Sequence, residues 1–120
     1  MASGEGQDIH IEELKKLQGD PSVLIIDVRE KSEIAETGVL PGGINIPLGE
    51  LSDALEKSPT EFTELYHHAK PEKDTKIVFS CRSGRRSLAG LNIAKKLGFT
   101  KYYYLLSTFS IIIGMLTHSW

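Results

Sequence analysis

The segment Ile77-Val78-Phe79-Ser80-Cys81-Arg82-Ser83-Gly84-Arg85-Arg86-Ser87 sets the chain's only cysteine where an apolar run gives way to an arginine-rich turn and then a helical stretch. The first backbone N–H groups of a helix have no intrahelical partners, and together with the helix dipole they favour a bound negative charge. A thiol held there ionises more easily. Arg82, Arg85 and Arg86 put three guanidinium groups within five residues of Cys81, and neighbouring cations can lower a cysteine pKa from about 8.5 into a range of roughly 3.5 to 7.5. Gly84 has no Cβ to obstruct the turn as it folds back, so successive N–H groups can face one anion. Ser83 and Ser87 complete the polar turn, with Ser87 also placed to act as a helix cap. Residue types and spacing therefore point to a nucleophilic thiolate with an anion site around it. The alternative is a buried structural cysteine, which gains nothing from a basic turn.

Such a turn needs a strand to deliver it and a helix to close it. Thr75 to Ser80 reads as the strand, and Leu88, Leu91, Ala94 and Leu97 mark one face of the following helix, with Lys95 and Lys96 in its last turn and Gly98 ending it. Upstream, Ile11, Leu14 and Leu17 recur at helical spacing until Gly19-Asp20-Pro21 stops the helix. Val23-Leu24-Ile25-Ile26-Asp27-Val28 is a continuous apolar run of the kind buried on both faces in a central parallel strand. Arg29 to Glu36 is charged and helical in character, Gly38 to Gly43 is a turn, and Ile44 to Pro47 is a short extended stretch. Leu48, Leu51 and Leu55 mark a further helix. Ser58-Pro59-Thr60-Glu61 is a capping box that opens a helix expected to run to about Ala69. Phe99 to Leu106, including Tyr102, Tyr103 and Tyr104, reads as a last strand.

Strands alternating with helices imply an α/β fold with a central, mainly parallel sheet flanked by helices on both faces. Ligands in such sheets sit at the carboxyl ends of strands. Cys81 and Asp27 both stand at such ends. His67 and His68 would be neighbours on the predicted helix, projecting about 100° apart, which argues for surface residues over a Cys–His dyad or a metal site. His10 and His118 lie in terminal segments where nothing else suggests metal ligands.

A length of 120 residues fits one domain, and 40% hydrophobic with 25% charged residues is a globular composition. The formal net charge of −2 gives no sign of a polyanion binder, so no nucleic-acid partner is expected. One cysteine excludes an intrachain disulfide framework and fits a reducing compartment, so a cytoplasmic location is expected. Residues 1–8 read as a short flexible lead without a signal-peptide pattern. Tyr102 to Trp120 carries no Asp, Glu, Lys or Arg, but its serines, threonines and His118 leave only a short apolar core, too interrupted for a membrane span.

Three blocks in this order give the chain its resemblance to the rhodanese family over about residues 9–104. Asp27-Val28-Arg29-Glu30 followed by Glu33-Ile34 is similar to the family's aspartate-valine-arginine signature with a downstream glutamate. Leu40-Pro41-Gly42-Gly43-Ile44-Asn45-Ile46-Pro47 is similar to its proline-glycine-alanine-isoleucine-asparagine segment. Cys81 to Ser87 resembles the active-site loop of single-domain sulfurtransferases. The resemblance implies catalysis through a Cys81 persulfide, with thiosulfate or a related sulfane donor and a thiol acceptor, glutathione or a protein thiol, or cyanide. It implies donor binding by Arg82, Ser83, Gly84, Arg85, Arg86 and Ser87, and a structural role beside the site for Asp27 and Arg29. Neither metal nor organic cofactor is implied.

The spacing Cys81-x4-Arg86 is one residue shorter than the C-x5-R loop of cysteine phosphatases, and the shorter loop suits a terminal sulfur better than phosphate or arsenate. A phosphatase or arsenate reductase is therefore the third reading. A catalytically silent rhodanese module for protein binding is the second. Two positions depart from the family: Val39 stands where histidine is frequent, and residues 105–120 form an atypical apolar segment in place of a glycine-glycine pair and a polar final helix.

Overall fold

The computed structural model describes residues 7–9, 16–17, 20–39, 42–80 and 85–105. Five strands form one sheet: β1 (Gln7–Ile9), β2 (Val23–Asp27), β3 (Gly43–Asn45), β4 (Lys76–Ser80) and β5 (Lys101–Leu105). Their spatial order is β1-β5-β4-β2-β3 and every pairing is parallel. Among the described residues, four helices have both ends defined: α1 (Lys31–Thr37), α2 (Leu48–Glu56), α3 (Pro59–Tyr66) and α4 (Arg85–Lys96). The α/β class and parallel sheet are as expected.

The two-residue period of a strand decides which side chains meet which helix. Leu24 and Ile26 of β2, Ile77 and Phe79 of β4, and Tyr102 of β5 point to one face, where they join Leu51, Ala54 and Leu55 of α2, Phe62 of α3, and Leu91 and Ala94 of α4. Ile25 and Val78 point to the other face and are buried as well. Both faces are covered, which is why β2 and β4 read as unbroken apolar runs.

Gln7 and Asp8 correct the reading of residues 1–8 as a flexible lead, because they belong to β1 and pair with Tyr103 and Tyr104. A short edge strand is held by its partner's ladder, and nothing in the propensity of Gln-Asp announces it. Of the expected helix at residues 11–17, Lys16 and Leu17 are helical and the rest lies outside the described residues. The α3 cap forms as the sequence implies: Glu61 N donates to Ser58 Oγ at 3.2 Å.

That helix ends at Tyr66, three residues before Ala69. His67 adopts a left-handed backbone (φ 55, ψ 38) and its N–H closes the helix on Thr63 O. His67 and His68 are thus a helix end and the residue after it, not helical neighbours.

The inward face of α4 differs from the expected one. Leu88 is 41% exposed, while Ser87, Gly90, Leu91 and Ala94 are buried. Gly90 causes this. A Cβ there would stand 3.1 Å from Phe79 Cδ1, 3.3 Å from Val28 Cγ1 and 3.4 Å from Leu51 Cδ2, so the helix backbone lies directly on the sheet and turns Leu88 outward. Gly98 (φ 94) ends α4, with Phe99 N donating to Ala94 O at 3.0 Å, a six-to-one Schellman closure.

Candidate active site

Parallel register brings the carboxyl ends of three strands together: Asp27 pairs with Asn45 of β3 on one side and Ser80 of β4 on the other. Beyond the ladder, Val28 N donates to Ser80 O (2.9 Å), Ile46 N to Asp27 O (3.0 Å) and Leu48 N to Val28 O (3.1 Å). The carbonyl immediately before Cys81 is therefore fixed to the neighbouring strand's exit. Cys81, Arg82, Ser83 and Gly84 lie outside the described residues, and α4 begins at Arg85.

Asp27 and Arg29 are 1% and 0% exposed. Arg29 Nε donates to both Asp27 carboxylate oxygens at 3.1 Å, Nη2 donates to Oδ2 at 2.9 Å, and Arg29 N donates to Oδ1 at 3.0 Å. A buried ion pair is tolerable only when its remaining hydrogen-bonding capacity is also met. Here Arg29 Nη2 also donates to Gly38 O at 3.0 Å, tying the pair to the chain leaving α1. Asn45 Nδ2 donates to the carbonyls of Asp27 and Arg29, both at 2.9 Å. The three residues form one polar lattice beneath the strand exits.

Glu33 and Arg86 form the second lattice. Arg86 Nη1 donates to Glu33 Oε1 at 2.5 Å and Nη2 to Oε2 at 2.9 Å, and Glu30 N donates to Oε1 at 3.0 Å. The Arg86 hydrogen bonds come first among the causes that hold the Glu33 carboxyl near 2, below its ordinary 4.5, against the opposing cost of its partial burial. The first turn of α4 is thereby tied to α1.

The site residues expected from sequence thus fall into separate places. Arg86 is engaged by Glu33, Arg85 is exposed at the first position of α4, and Ser87 is buried. Ser87 is the third residue of α4, which corrects its reading as a cap. Ser80 Oγ is buried and has no hydrogen-bond partner among the described residues. Glu33 and Asn45 are the positioning residues that pattern reasoning did not single out. Both stand inside the motif blocks, which is the one signal that could have found them.

Among the described residues no three His, Cys, Asp or Glu side chains are grouped to hold a metal ion, and no helix is long and apolar enough to cross a membrane. Depressions of about 580 and 640 Å³ lie at the opposite end of the sheet, around Ala69–Asp74. They are far from the strand exits where ligands of parallel sheets bind.

A family model described as a rhodanese-like domain matches residues 10–109. A rhodanese domain-containing protein of Drosophila melanogaster is 45% identical over 89 residues, which cover 74% of this chain and 80% of that protein. The thiosulfate:glutathione sulfurtransferase of Homo sapiens is 38% identical over 93 residues, covering 77% of this chain and 80% of that one. Thiosulfate sulfurtransferase/rhodanese-like domain-containing protein 3 of Mus musculus is 46% identical over 87 residues, and this chain spans 55% of its length. Among solved structures, a human single-domain sulfurtransferase superposes with a TM-score of 0.80 at 32% identity, over 88% of this chain and 93% of that one.

Proposed function

The chain belongs to the rhodanese-like domain family, and from that premise we propose that it is a sulfurtransferase working through a persulfide on Cys81. The observation that carries the reading is the anchoring at both ends of residues 81–84: Ser80 O is bound by Val28 N, and Arg86 is gripped by Glu33. A nucleophile needs a fixed setting to attack along one line. The names of the human and mouse relatives support thiosulfate as donor, and the human name supports glutathione as acceptor.

In the first step the Cys81 thiolate attacks the outer sulfur of thiosulfate. A bond forms between those two sulfurs, the bond from the outer sulfur to the sulfonate sulfur breaks, and its electron pair leaves on sulfite. In the second step a thiolate acceptor attacks the outer sulfur of the persulfide, and the electron pair of the breaking bond returns to Cys81. Backbone N–H groups of residues 82–87 would stabilise the terminal sulfur, with Arg82 and Arg85 drawing in the anionic donor. The chemistry uses no external redox partner, and it suits a reducing compartment such as the cytosol.

Intact-mass spectrometry after thiosulfate treatment tests this, beside a Cys81→Ala control. The expected result is a gain of one sulfur atom in the natural chain, removed by glutathione or cyanide and absent from the control. A folded protein that gains none would overturn the reading in favour of a silent binding module.

A further inference from the structure

We infer that two copies of the chain associate about a two-fold axis, with α4 of each lying over α2 and α3 of the other. The sign of charge is sorted by helix. Helix α4 holds Arg85, Arg86, Lys95 and Lys96 and no acid, although the whole chain has a formal net charge of −2. Helices α2 and α3 hold Glu50, Asp53, Glu56, Glu61 and Glu64 and no base. All three helices pack on one face of the sheet around a shared core, with α4 against α2. The basic and the acidic surfaces therefore stand side by side on the same side of the molecule.

Each helix turns its charges outward. On α4 the buried Ser87, Gly90, Leu91 and Ala94 take one side, which leaves Arg85, Leu88, Asn92, Lys95 and Lys96 exposed along the other, in a stripe about 16 Å long. On α2 the buried Leu51, Ala54 and Leu55 leave Asp53 and Glu56 exposed one turn apart, and Glu64 is exposed on α3. Some charges are engaged within the chain: Arg86 is held by Glu33, Glu50 stands near Lys31 and Tyr66, and Glu61 takes part in the Ser58 cap. Among the described residues, Arg85, Lys95 and Lys96 on the basic surface make no side-chain hydrogen bond or ion pair, and nor do Asp53, Glu56 and Glu64 on the acidic one.

Within one molecule these charges never meet. A second copy turned by half a rotation brings its acidic surface onto this α4 and its own α4 onto this acidic surface, so the same contact forms twice and the assembly closes as a dimer. The apolar side chains fall where such a contact needs them. Leu65 and Leu88 are the exposed large hydrophobics among the described residues, at 57% and 41%. Leu88 lies between Arg85 and Asn92 on the basic stripe, while Leu65 follows Glu64 and shares a groove with Asp53 on the acidic surface. Each is an apolar centre inside a charged rim, as in protein interfaces. Nucleic acid or an anionic membrane would meet Lys95 and Lys96 but would be repelled by the acids beside them.

Sedimentation equilibrium of the full chain tests this at about 20, 150 and 500 mM NaCl, across which the screening length falls from about 20 Å to about 4 Å. A monomer–dimer equilibrium is expected that weakens about tenfold or more as salt rises. Two charge-reversed chains are compared, one with Lys95→Glu and Lys96→Glu, the other with Asp53→Lys and Glu56→Lys. All four positions are exposed, so the circular dichroism of both should match the natural chain. Each alone is expected to dimerise about tenfold or more weakly, since like charges then face each other. An equimolar mixture re-forms both contacts with the signs exchanged and is expected to regain the dimer. A natural chain that stays monomeric at about 1 mM in the lowest salt, a dimer untouched by either reversal, one that strengthens with salt, or a mixture that gains nothing would overturn the inference. So would larger species that keep growing with concentration, because a two-fold contact closes. Should a reversed chain lose its fold, Leu65→Ser and Leu88→Ser decide instead: a weaker dimer in both sustains the contact, and an unchanged one refutes it.

Discussion

Arg86 and Glu33, 53 positions apart in the chain, face each other through two parallel hydrogen bonds of 2.5 and 2.9 Å. The pair links the first turn of α4 to α1 and gives Arg86 a fixed direction. It also balances the charge of Arg86. Of the three arginines in the motif, the one farthest from Cys81 is the positioning residue.

Glu33→Gln is expected to lower stability by about 1 kcal/mol at neutral pH, since the pair is only partly buried, and to slow sulfur transfer on the order of tenfold by releasing Arg86. The stability effect is pH-dependent with a definite sign. Folding depresses the Glu33 pKa from 4.5 to about 2, so the contribution is complete above about 4.5 and fades as the pH falls towards 2. Urea unfolding at pH 7, 4 and 2.5 should show the natural chain and the variant converging as the pH drops. A constant gap across that range would rule out the carboxylate as its source.

Gly90→Ala would ordinarily strengthen a helix by about 1 kcal/mol. Here the added methyl meets Phe79 Cδ1 at 3.1 Å inside a filled core, and overpacking costs about 1–3 kcal/mol. A net loss of about 1 kcal/mol is expected. Chemical denaturation decides the sign, and a gain would mean that Phe79 moves aside without cost.

The strands and helices that surround the site were legible because burial on both faces leaves a plain sequence trace. Val23 to Val28 and Ile77 to Phe79 are apolar at every position but the acid Asp27, and only a central parallel strand requires that. The errors lie where one tertiary contact outweighs the local pattern. Leu88 fits the apolar helical stripe, yet Gly90 brings α4 so close to the sheet that the inward face rotates onto Ser87 and Gly90. Gln7 and Asp8 carry no strand signal because their order comes from β5. The Glu33–Arg86 bridge was invisible to periodicity, since a long-range charge pair has no spacing rule. What was legible of the site came from its motifs. Asp27 was read at a strand end, whereas the roles of Asn45 and Glu33 needed the contacts of the folded chain.

His67→Gly should be stabilising. A residue with a Cβ pays an intrinsic cost of about 1–2 kcal/mol in the left-handed region, and His67 sits there at φ 55 to end α3. Glycine removes that cost but adds freedom to the unfolded chain, leaving an expected gain of about 0.5 kcal/mol. Thermal unfolding should move up by about 2–4 °C. A fall in Tm would mean that the imidazole makes a contact worth more than the backbone strain.

Asp27 and Arg29 supply the largest expected single-site effects. Each shields the other from an uncompensated buried charge, so Arg29→Met alone should cost about 3–5 kcal/mol. Asp27→Asn alone removes the carboxylate that accepts three hydrogen bonds from the buried guanidinium and should cost a similar amount. With both replaced no buried charge remains, and the double variant is expected to be more stable than the sum of the single losses implies, by about 1–3 kcal/mol. Arg29 Nη2 also holds Gly38 O, and Asn45 also holds the carbonyl of Arg29, so part of the Arg29 loss should survive in the double variant. A urea double-mutant cycle measures the coupling directly. Strict additivity would show that the two side chains act through separate partners, and would remove the ion pair as the element that unites the strand exits.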